Sequence, residues 1–336
     1  MKPMEPGKLK HHVLEKLLSG LSRPRDPRVI VGPRLGEDAA VVRLGKQCLV
    51  IATDPVTFAV DRIGWYAVQI NANDVAAMGA RPAWFQMCVL LPAGRKVRTR
   101  HVFADADAAC RELGVAVTGG HTEVTAGIEN LIVIGTMIGT VKADRLIASS
   151  GLRKGDDLVM TGFAATEATA ILAREFADKM KGKVPRRVKR RAEKFLFDPG
   201  ISIVKPALLA GECGATAMHD PTEGGVITGL WELAQASGKR IVVDESAIPV
   251  REETLRICRC FGIDPLRAIA SGSLLIGIPA SKTAALLKKL ARRHIPAFKI
   301  GGCVSGPGEV RTTAGKRLKP QARDEIARCV SVVSGK

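Results

Sequence analysis

The hydrophobic and polar positions of this chain alternate between short apolar runs and longer stretches with helical spacing. In the first half, a short amphipathic pattern predicts a helix over 8–19, and a longer one predicts a helix at about 97–114. Between the helical stretches, the apolar runs predict strands at about 38–44, 47–53, 83–91, 115–118 and 130–141. Strands that alternate with helices indicate an α+β fold built from α/β-type layers.

The second half repeats this alternation after a small, polar stretch at 148–157. Such a stretch is typical of a domain junction, and 336 residues are enough for two cores. We therefore expect an N-terminal domain over 1–150 and a C-terminal domain over 151–336. The strands predicted in the second domain are 158–162, 215–220, 240–244, 273–279 and 297–302. The helices predicted there are about 164–180, 186–196, 201–212, 222–237, 250–261 and 281–293.

One predicted helix, RIGWYAVQINANDVAAMGA at 62–80, carries polar residues in an otherwise apolar pattern. Asn71 and Asp74 are three residues apart and share a face, and Asn73 lies beside them. These side chains could form a polar stripe facing solvent or a satisfied buried network. They could also belong to a functional site, because an unpaired buried carboxylate is costly.

Several acids stand at the ends of apolar runs in a way that suggests a metal site. Asp38 begins a predicted strand, Asp54 ends an apolar run, and Asp220 ends the strand ATAMHD. Hard divalent cations such as Mg²⁺ prefer carboxylate and phosphate oxygens. The alternatives are that Asp38 and Asp54 only form turns and that Asp220 is the N-cap of the next helix.

Glycine-rich stretches suggest anion binding at two places. Gly119 and Gly120 follow an apolar run, and paired glycines let backbone N–H groups approach an anion closely, although a simple tight turn is the alternative. Thr222, Gly224 and Gly225 open a predicted helix, whose N-terminal amides favour an anion.

Composition and charge leave the class of protein open. The hydrophobic content is 46%, the formal net charge is +18, and the segment 179–194 holds nine Lys or Arg residues and a single acid. This segment predicts either an exposed, solvated surface or a patch for RNA or an acidic partner. We favour the former and consider nucleic-acid binding improbable, since no aromatic platform accompanies the charge. No apolar run is long enough to cross a membrane, and we expect a cytoplasmic protein with free thiols.

Five motifs occur in a fixed order, namely GEDAAVV (36–42), ATD (52–54), NANDVAAMGARP (71–82), VTGGHTEV (117–124) and HDPTEGGV (219–226). As an ordered set they resemble the PurM superfamily, which includes aminoimidazole ribonucleotide (AIR) synthetase, selenophosphate synthetase, thiamine-monophosphate kinase and the hydrogenase-maturation protein HypE. The resemblance covers about residues 30 to 305. The DPTEGG form is most similar to that of HypE, and the whole chain is most similar to HypE-like and AIR synthase-related members.

The resemblance implies a two-domain PurM-like fold, with an N-terminal β-barrel-like dimer core and a flanking C-terminal α/β domain. It implies an ATP- and Mg²⁺-dependent ligase- or kinase-like enzyme that transfers a phosphoryl group to an amide, carboxylate or related oxygen of a small molecule or protein tail. The resemblance then assigns Asp38, Asp54, Asp74 and Asp220 to the metal, with Asp38, Asp74 and Asp220 also catalytic. The nucleotide-binding residues would be Asp54, Asn71, Asn73, Gly119, Gly120, Thr222, Gly224 and Gly225.

Two departures from the family pattern bear on the reaction. Glu37 stands where an Asp is common, and Cys329 lies seven residues from the end, whereas HypE carries a modified cysteine at its C-terminus. The acceptor therefore stays open. The alternative function is a non-catalytic nucleotide-binding scaffold, or an RNA- or acidic-partner-binding protein that uses the segment 179–194.

Overall fold

The computed structural model describes residues 8–9, 11–21, 26–34, 36–57, 61–321, 323–327 and 329. The N-terminal half forms a six-stranded sheet in the order β1-β2-β3-β6-β4-β5, in which β5 is parallel to β4 and the other pairs are antiparallel. Its strands are β1 (Val29–Val31), β2 (Ala40–Leu44), β3 (Gln47–Val56), β4 (Arg81–Pro92), β5 (Ala116–Thr125) and β6 (Ile132–Lys142). The helices of this half are α1 (His11–Ser19), α2 (Ile63–Ala77) and α3 (Thr99–Leu113).

The C-terminal half forms a seven-stranded mixed sheet in the order β13-β12-β9-β11-β7-β10-β8. Its strands are β7 (Asp156–Thr161), β8 (Ala217–His219), β9 (Arg240–Val243), β10 (Leu274–Pro279), β11 (Ala297–Val304), β12 (Glu309–Thr312) and β13 (Arg317–Leu318). Its helices are α4 (Thr166–Glu175), α5 (Arg186–Glu193), α6 (Val204–Cys213), α7 (Gly225–Ser237), α8 (Glu252–Phe261) and α9 (Ala280–Ala291). The predicted mixture of layers is confirmed.

Helix α2 lies at the centre of the molecule and joins the two halves. Almost all of its residues are buried, so the alternative of a solvent-facing polar stripe is wrong. Ala76 and Ala77 at its end pack into the core of the second half. Asn73 ties the halves together, since its Nδ2 donates to the carbonyl of Ile201 at 2.8 Å and its Oδ1 accepts from the amide of Ile203 at 2.8 Å.

Three local predictions differ from the structure. Gly119 and Gly120 lie inside β5, with φ of 153° and 146°, and do not form a tight turn. Helix α7 begins at Gly225 with Gly224 as its N-cap, so Asp220 is not the cap. Strands β1, β12 and β13 were not predicted. Among the described residues, no helix is both long and apolar enough to cross a membrane.

Candidate active site

Asn71 fixes the end of β3 and thereby places Asp54. Its Oδ1 accepts a hydrogen bond from the Asp54 amide at 2.8 Å, and its Nδ2 donates to the carbonyls of Ala67 at 2.8 Å and Asp54 at 3.3 Å. Gly135 on β6 pairs with Asp54, and a Cβ there would lie 2.5 Å from Asn71 Nδ2. The carboxamide of Asn71 is therefore used on the backbone, where it holds the strand end against α2.

Asp74, one turn further along α2, is only 7% exposed. Burial raises its pKa well above the ordinary range, and the negative charges of Asp54, Asp220 and Asp38 raise it further, while Lys8 opposes them. The pKa of Asp54 is also raised, first by burial and then by Glu223 and Asp38, against the opposing charge of Lys8. Because the charges of Asp38, Asp54 and Asp220 all act on Asp74, these four aspartates belong to one region of the structure. We call Asp38, Asp54, Asp74 and Asp220 the acid cluster.

Asp220 follows β8 and is 2% exposed. Neither of its carboxylate oxygens has a hydrogen-bond partner in the part of the chain that the structure describes. Burial raises its pKa strongly and the charge of Asp38 adds to this, while the charge of His219 and the nearby Asn73 side chain, which lies outside hydrogen-bond geometry, oppose them. A buried carboxylate without a donor is costly unless it is protonated or faces a cation. Asp220 is therefore suited to a cation.

Asp38 is held by a chain of ion pairs that crosses between the two halves. His219, the last residue of β8, contacts Asp38 Oδ1 through Nδ1 at 2.9 Å and Glu232 Oε2 on α7 through Nε2 at 3.1 Å. Burial disfavours the charged imidazole, but the carboxylates of Asp38 and Glu232 outweigh it and raise the pKa of His219 well above its ordinary value. With both nitrogens bonded to carboxylates, His219 remains a doubly protonated cation.

Glu37 closes the junction beside Asp38. Its carboxylate accepts from the amides of Ser149 at 3.0 Å and Ser150 at 3.3 Å, and it pairs with Arg34 at 3.2 Å. The glutamate side chain, which is one methylene longer than aspartate, thus reaches Ser149 and Ser150 in the segment that connects the two sheets. These bonds anchor the loop that carries Asp38.

The acid cluster fits a divalent cation in combination with a phosphate ligand. Within the described ranges, no group of three or more His, Cys, Asp or Glu side chains is arranged to hold a metal ion alone. Mg²⁺ is usually held by one or two carboxylates, with substrate phosphates and water completing its octahedron. The unpartnered oxygens of Asp220 and the mutual repulsion of the four aspartates match that requirement.

The structure does not bring Gly119 and Gly120 to the acid cluster within one chain. Asp54 pairs with Gly135, Gly135 with Met87, and Met87 with Gly120. Three strand spacings separate Asp54 from Gly120, which is about 14 Å along the sheet. Both therefore cannot contact the same phosphate group. Gly120 is required by packing, since a Cβ there would lie 2.0 Å from the carbonyl oxygen of Met87.

In the turn before α7, the backbone amides of Gly224 and Gly225, which were expected to bind an anion, donate to acceptors within the protein. The Gly224 amide donates to Asp324 Oδ2 at 2.6 Å, and the Gly225 amide donates to the Thr222 carbonyl at 3.0 Å. Burial raises the pKa of Asp324 to about 7 despite this bond. The Thr222 hydroxyl points toward Lys8, whose Nζ lies 3.0 Å away.

A cavity of about 820 Å³ lies beside this turn, between α1, α7 and the segment around Asp324. Its walls include Lys8, His11, Glu223, Trp231, Glu232 and Asp324. The volume is in the range of small-molecule sites. Two of these wall residues also contact the acid cluster or its surroundings. Glu232 pairs with His219, the partner of Asp38, and the charge of Lys8 acts on Asp54, so the cavity adjoins the cluster.

Sequence reasoning missed the roles of Lys8, Ser149, Glu232 and Asp324. Ser149 Oγ donates to the Met218 carbonyl at 2.9 Å beside His219, and Glu232 is the second partner of that histidine. None of these residues belongs to a motif with a recognisable spacing. Only Glu232 carried a signal, since it is the one acid in the apolar pattern of α7.

Comparison with known proteins finds two family domains in this chain, one in each half. Residues 36–141 match the AIR synthase related protein family, N-terminal domain, and residues 153–313 match its C-terminal domain. The carbamoyl dehydratase HypE of Rhodobacter capsulatus is 26% identical over 306 residues, which cover 89% of this chain and 86% of that protein. The carbamoyl dehydratase HypE of Cupriavidus necator is 30% identical over 270 residues, which cover 76% and 72% of the two chains.

A solved structure of the hydrogenase maturation protein HypE in complex with ATP superposes with a TM-score of 0.66 at 25% identity. The alignment covers 94% of this chain and 91% of that one. The matches extend across both sheets, which places the strand ends and α2 in a shared architecture. The two-domain fold is therefore the one that the five motifs predicted, and the chain belongs to the AIR synthase-related PurM superfamily of ATP-dependent enzymes.

Proposed function

We propose that this protein is a Mg²⁺-dependent enzyme that transfers the γ-phosphoryl group of ATP to an oxygen of a small molecule or protein tail. The acceptor oxygen would belong to a carboxamide, a carboxylate or a related group. The observation that carries the proposal is the acid cluster, in which Asp220 has no donor and burial and like charges raise the pKa of Asp54, Asp74 and Asp220. Membership of a family with an ATP-bound HypE structure supports it.

In this proposal the acid cluster would supply one or two carboxylates to the cation, and the phosphates of the nucleotide would complete its coordination. The bound ion supplies neutralisation of charge on the phosphate oxygens, which is the main requirement of phosphoryl transfer. Asn71 and Asn73 act through the backbone, because one fixes the Asp54 strand end and the other fixes α2 to the second half. Both asparagines are thus positioning residues, whose carboxamides bind the backbone.

His219 positions Asp38 and does not serve as a base. A base needs an unprotonated nitrogen, and both nitrogens of His219 are bonded to carboxylates. The same chain of ion pairs leads from Asp38 to Glu232 at the wall of the cavity. The cavity is therefore the place where the proposed acceptor would meet the acid cluster.

We also propose that the protein is a homodimer through its first sheet. Strand β5 is exposed along its length except at its last residue, and Val117 and Val124 are among its exposed side chains. Trp84 and Phe103 add exposed apolar area in the same domain. A ten-residue edge strand with unpaired backbone groups favours pairing with another chain, and a second copy would cover it.

Calorimetry tests the nucleotide proposal. We expect ATP to bind in Mg²⁺ and to bind at least tenfold more weakly in EDTA, because the acids repel bare phosphates. Asp220→Asn should reduce this metal dependence, while the exposed control Asp144→Asn should leave it unchanged. Unchanged ATP affinity in EDTA would contradict the proposal. Screening carboxamides, carboxylates and ribonucleotides for stimulated phosphate release would then identify the acceptor class.

A further inference from the structure

Lys8 lies far from the acid cluster in sequence but next to it in space. Its Nζ donates to Thr222 Oγ1 at 3.0 Å, and its backbone amide donates to Glu223 Oε2 at 3.0 Å. These partners are more than 200 residues away along the chain. Lys8 also lies outside both matched family domains, which begin at residue 36. The family match therefore gives this residue no role.

The ammonium of Lys8 lies within electrostatic reach of two members of the acid cluster. The crowding of protein around the ammonium disfavours its charge, but the carboxylates of Glu232, Glu223, Asp54 and Asp74 outweigh this effect and raise its pKa. The residue as a whole remains exposed at the cavity wall. Lys8 is thus a charged group that faces both the acids and the open cavity.

Helix α1 holds Lys8 in this place through contacts that lead back to the cluster. The His11 ring packs on Trp231 with a centroid distance of 4.6 Å, and His11 Nε2 lies 3.6 Å from Glu232 Oε1. Glu232 in turn holds His219, the partner of Asp38. No residue of α1 is fully buried, so the helix is weakly packed against the rest of the protein. Such a weakly packed element can adjust when a ligand binds.

The chemistry of the ammonium favours a phosphate as its further partner. A lysine ammonium has three N–H donors, and within the described residues one of them is used, on the neutral Thr222 hydroxyl. The carboxylates around it prefer a cation, whereas a metal-bound triphosphate would bring anionic oxygens between the acids and Lys8. Lysine is a common phosphate ligand because it supplies a compact charge.

We propose that Lys8 is a further catalytic residue, whose ammonium contacts the γ-phosphoryl group of metal-bound ATP from the side of α1. This inference rests on the proposed function. Lys8 neutralises charge on the transferring group, and its hydrogen bond to Thr222 positions the ammonium before the nucleotide arrives. The contact distinguishes ATP from ADP, because ADP lacks the γ-phosphate.

The test compares Lys8→Ala and Lys8→Arg with the control Lys16→Ala, which removes the same charge from an exposed position of α1. Calorimetry in Mg²⁺ measures the affinity of each protein for β,γ-methylene ATP and for ADP. We expect Lys8→Ala to weaken the triphosphate at least tenfold and ADP less than threefold. Lys8→Arg should fall between, and Lys16→Ala should match the wild type. Melting temperatures check that all variants remain folded.

Three results would overturn the inference. An unchanged ratio of triphosphate to ADP affinity would show that Lys8 does not contact the γ-phosphate. Tighter triphosphate binding by Lys8→Ala would show that the ammonium only blocks the acids as a counterion. A wild type that binds neither nucleotide would refute the proposed function as well. In the first two results the wild type still binds ATP, so only the role of Lys8 would be refuted.

Discussion

Replacing Asp74 by Asn separates a metal-binding role from a structural role at the centre of the molecule. Asn is almost the same size as Asp and still forms hydrogen bonds, so the packing of α2 should survive. The change removes one negative charge from the acid cluster and nothing else. If Asp74 holds the cation, turnover should be lost while the fold remains.

The raised pKa of Asp74 fixes the sign of the effect on stability. The folded protein binds this proton more tightly than the unfolded chain, so the contribution of Asp74 to stability is largest below about pH 4 and is lost as pH rises through the folded pKa. Each unit of the shift corresponds to about 1.4 kcal/mol. Asn carries no charge, so without metal at pH 8 we expect Asp74→Asn to melt at or above the temperature of the wild type.

The effect on catalysis should have the opposite sign. Loss of a metal ligand removes neutralisation of the phosphoryl transition state, an effect of several kcal/mol. About 3–4 kcal/mol corresponds to a fall of roughly 10²- to 10³-fold in turnover. We also expect Mg²⁺ to raise the melting temperature of the wild type more than that of the variant, because ligand binding stabilises only a folded site.

Melting temperature and ATP turnover measured on one preparation decide between the roles. The control is Asp144→Asn, an exposed change that should affect neither quantity. If Asp74 is a structural residue in a buried network, the variant should lose roughly 1–3 kcal/mol of stability. A variant that melts early but turns over ATP normally per folded molecule would refute a catalytic role for Asp74.

Three further predictions follow from the fold. Reversing the charges of Arg186, Arg187 and Arg190 on α5 should leave ATP affinity at low salt within a few-fold. Arg191 is left intact in this variant because it pairs with Glu253 at 3.1 Å. Tight RNA binding by the wild type that weakens steeply with salt would favour the rival function. Val124→Lys, at a site that is 68% exposed on β5, should convert a dimer into monomers in sedimentation; a monomeric wild type at micromolar concentration would exclude the dimer. Without metal, the free energy of unfolding should fall as pH rises above about 6.5, because the raised pKa of His219 makes its stabilising charge complete only below that pH. Urea unfolding should show a shallower decline for His219→Gln, and an equal slope would contradict the ion-pair chain.

The sequence was sufficient for most of the secondary structure and for the identity of the central helix. The apolar pattern predicted α2, β4 and β6 close to their observed bounds, because long buried elements carry a strong periodic signal. It failed at β12, and it ended the strand at 118, before Gly119 and Gly120, whereas β5 continues to Thr125. Glycines mark turns more often than edge strands, and only the close approach of Met87 shows why a strand needs one there.

The sequence by itself determined which acids lie at or near strand ends and which interrupt α2, since each of these positions depends on local pattern. It also determined the family, through five motifs in order. Only the tertiary structure decided which groups face those acids. Lys8, Glu232 and Asp324 reach the site across separations that periodicity cannot detect, and the bonds of Asn71 and Asn73 to the backbone become visible only when two halves pack on one helix. Local pattern determines which helix or strand carries a side chain. The burial of that side chain and the charges around it depend on the whole fold, and these two properties decide what it can bind.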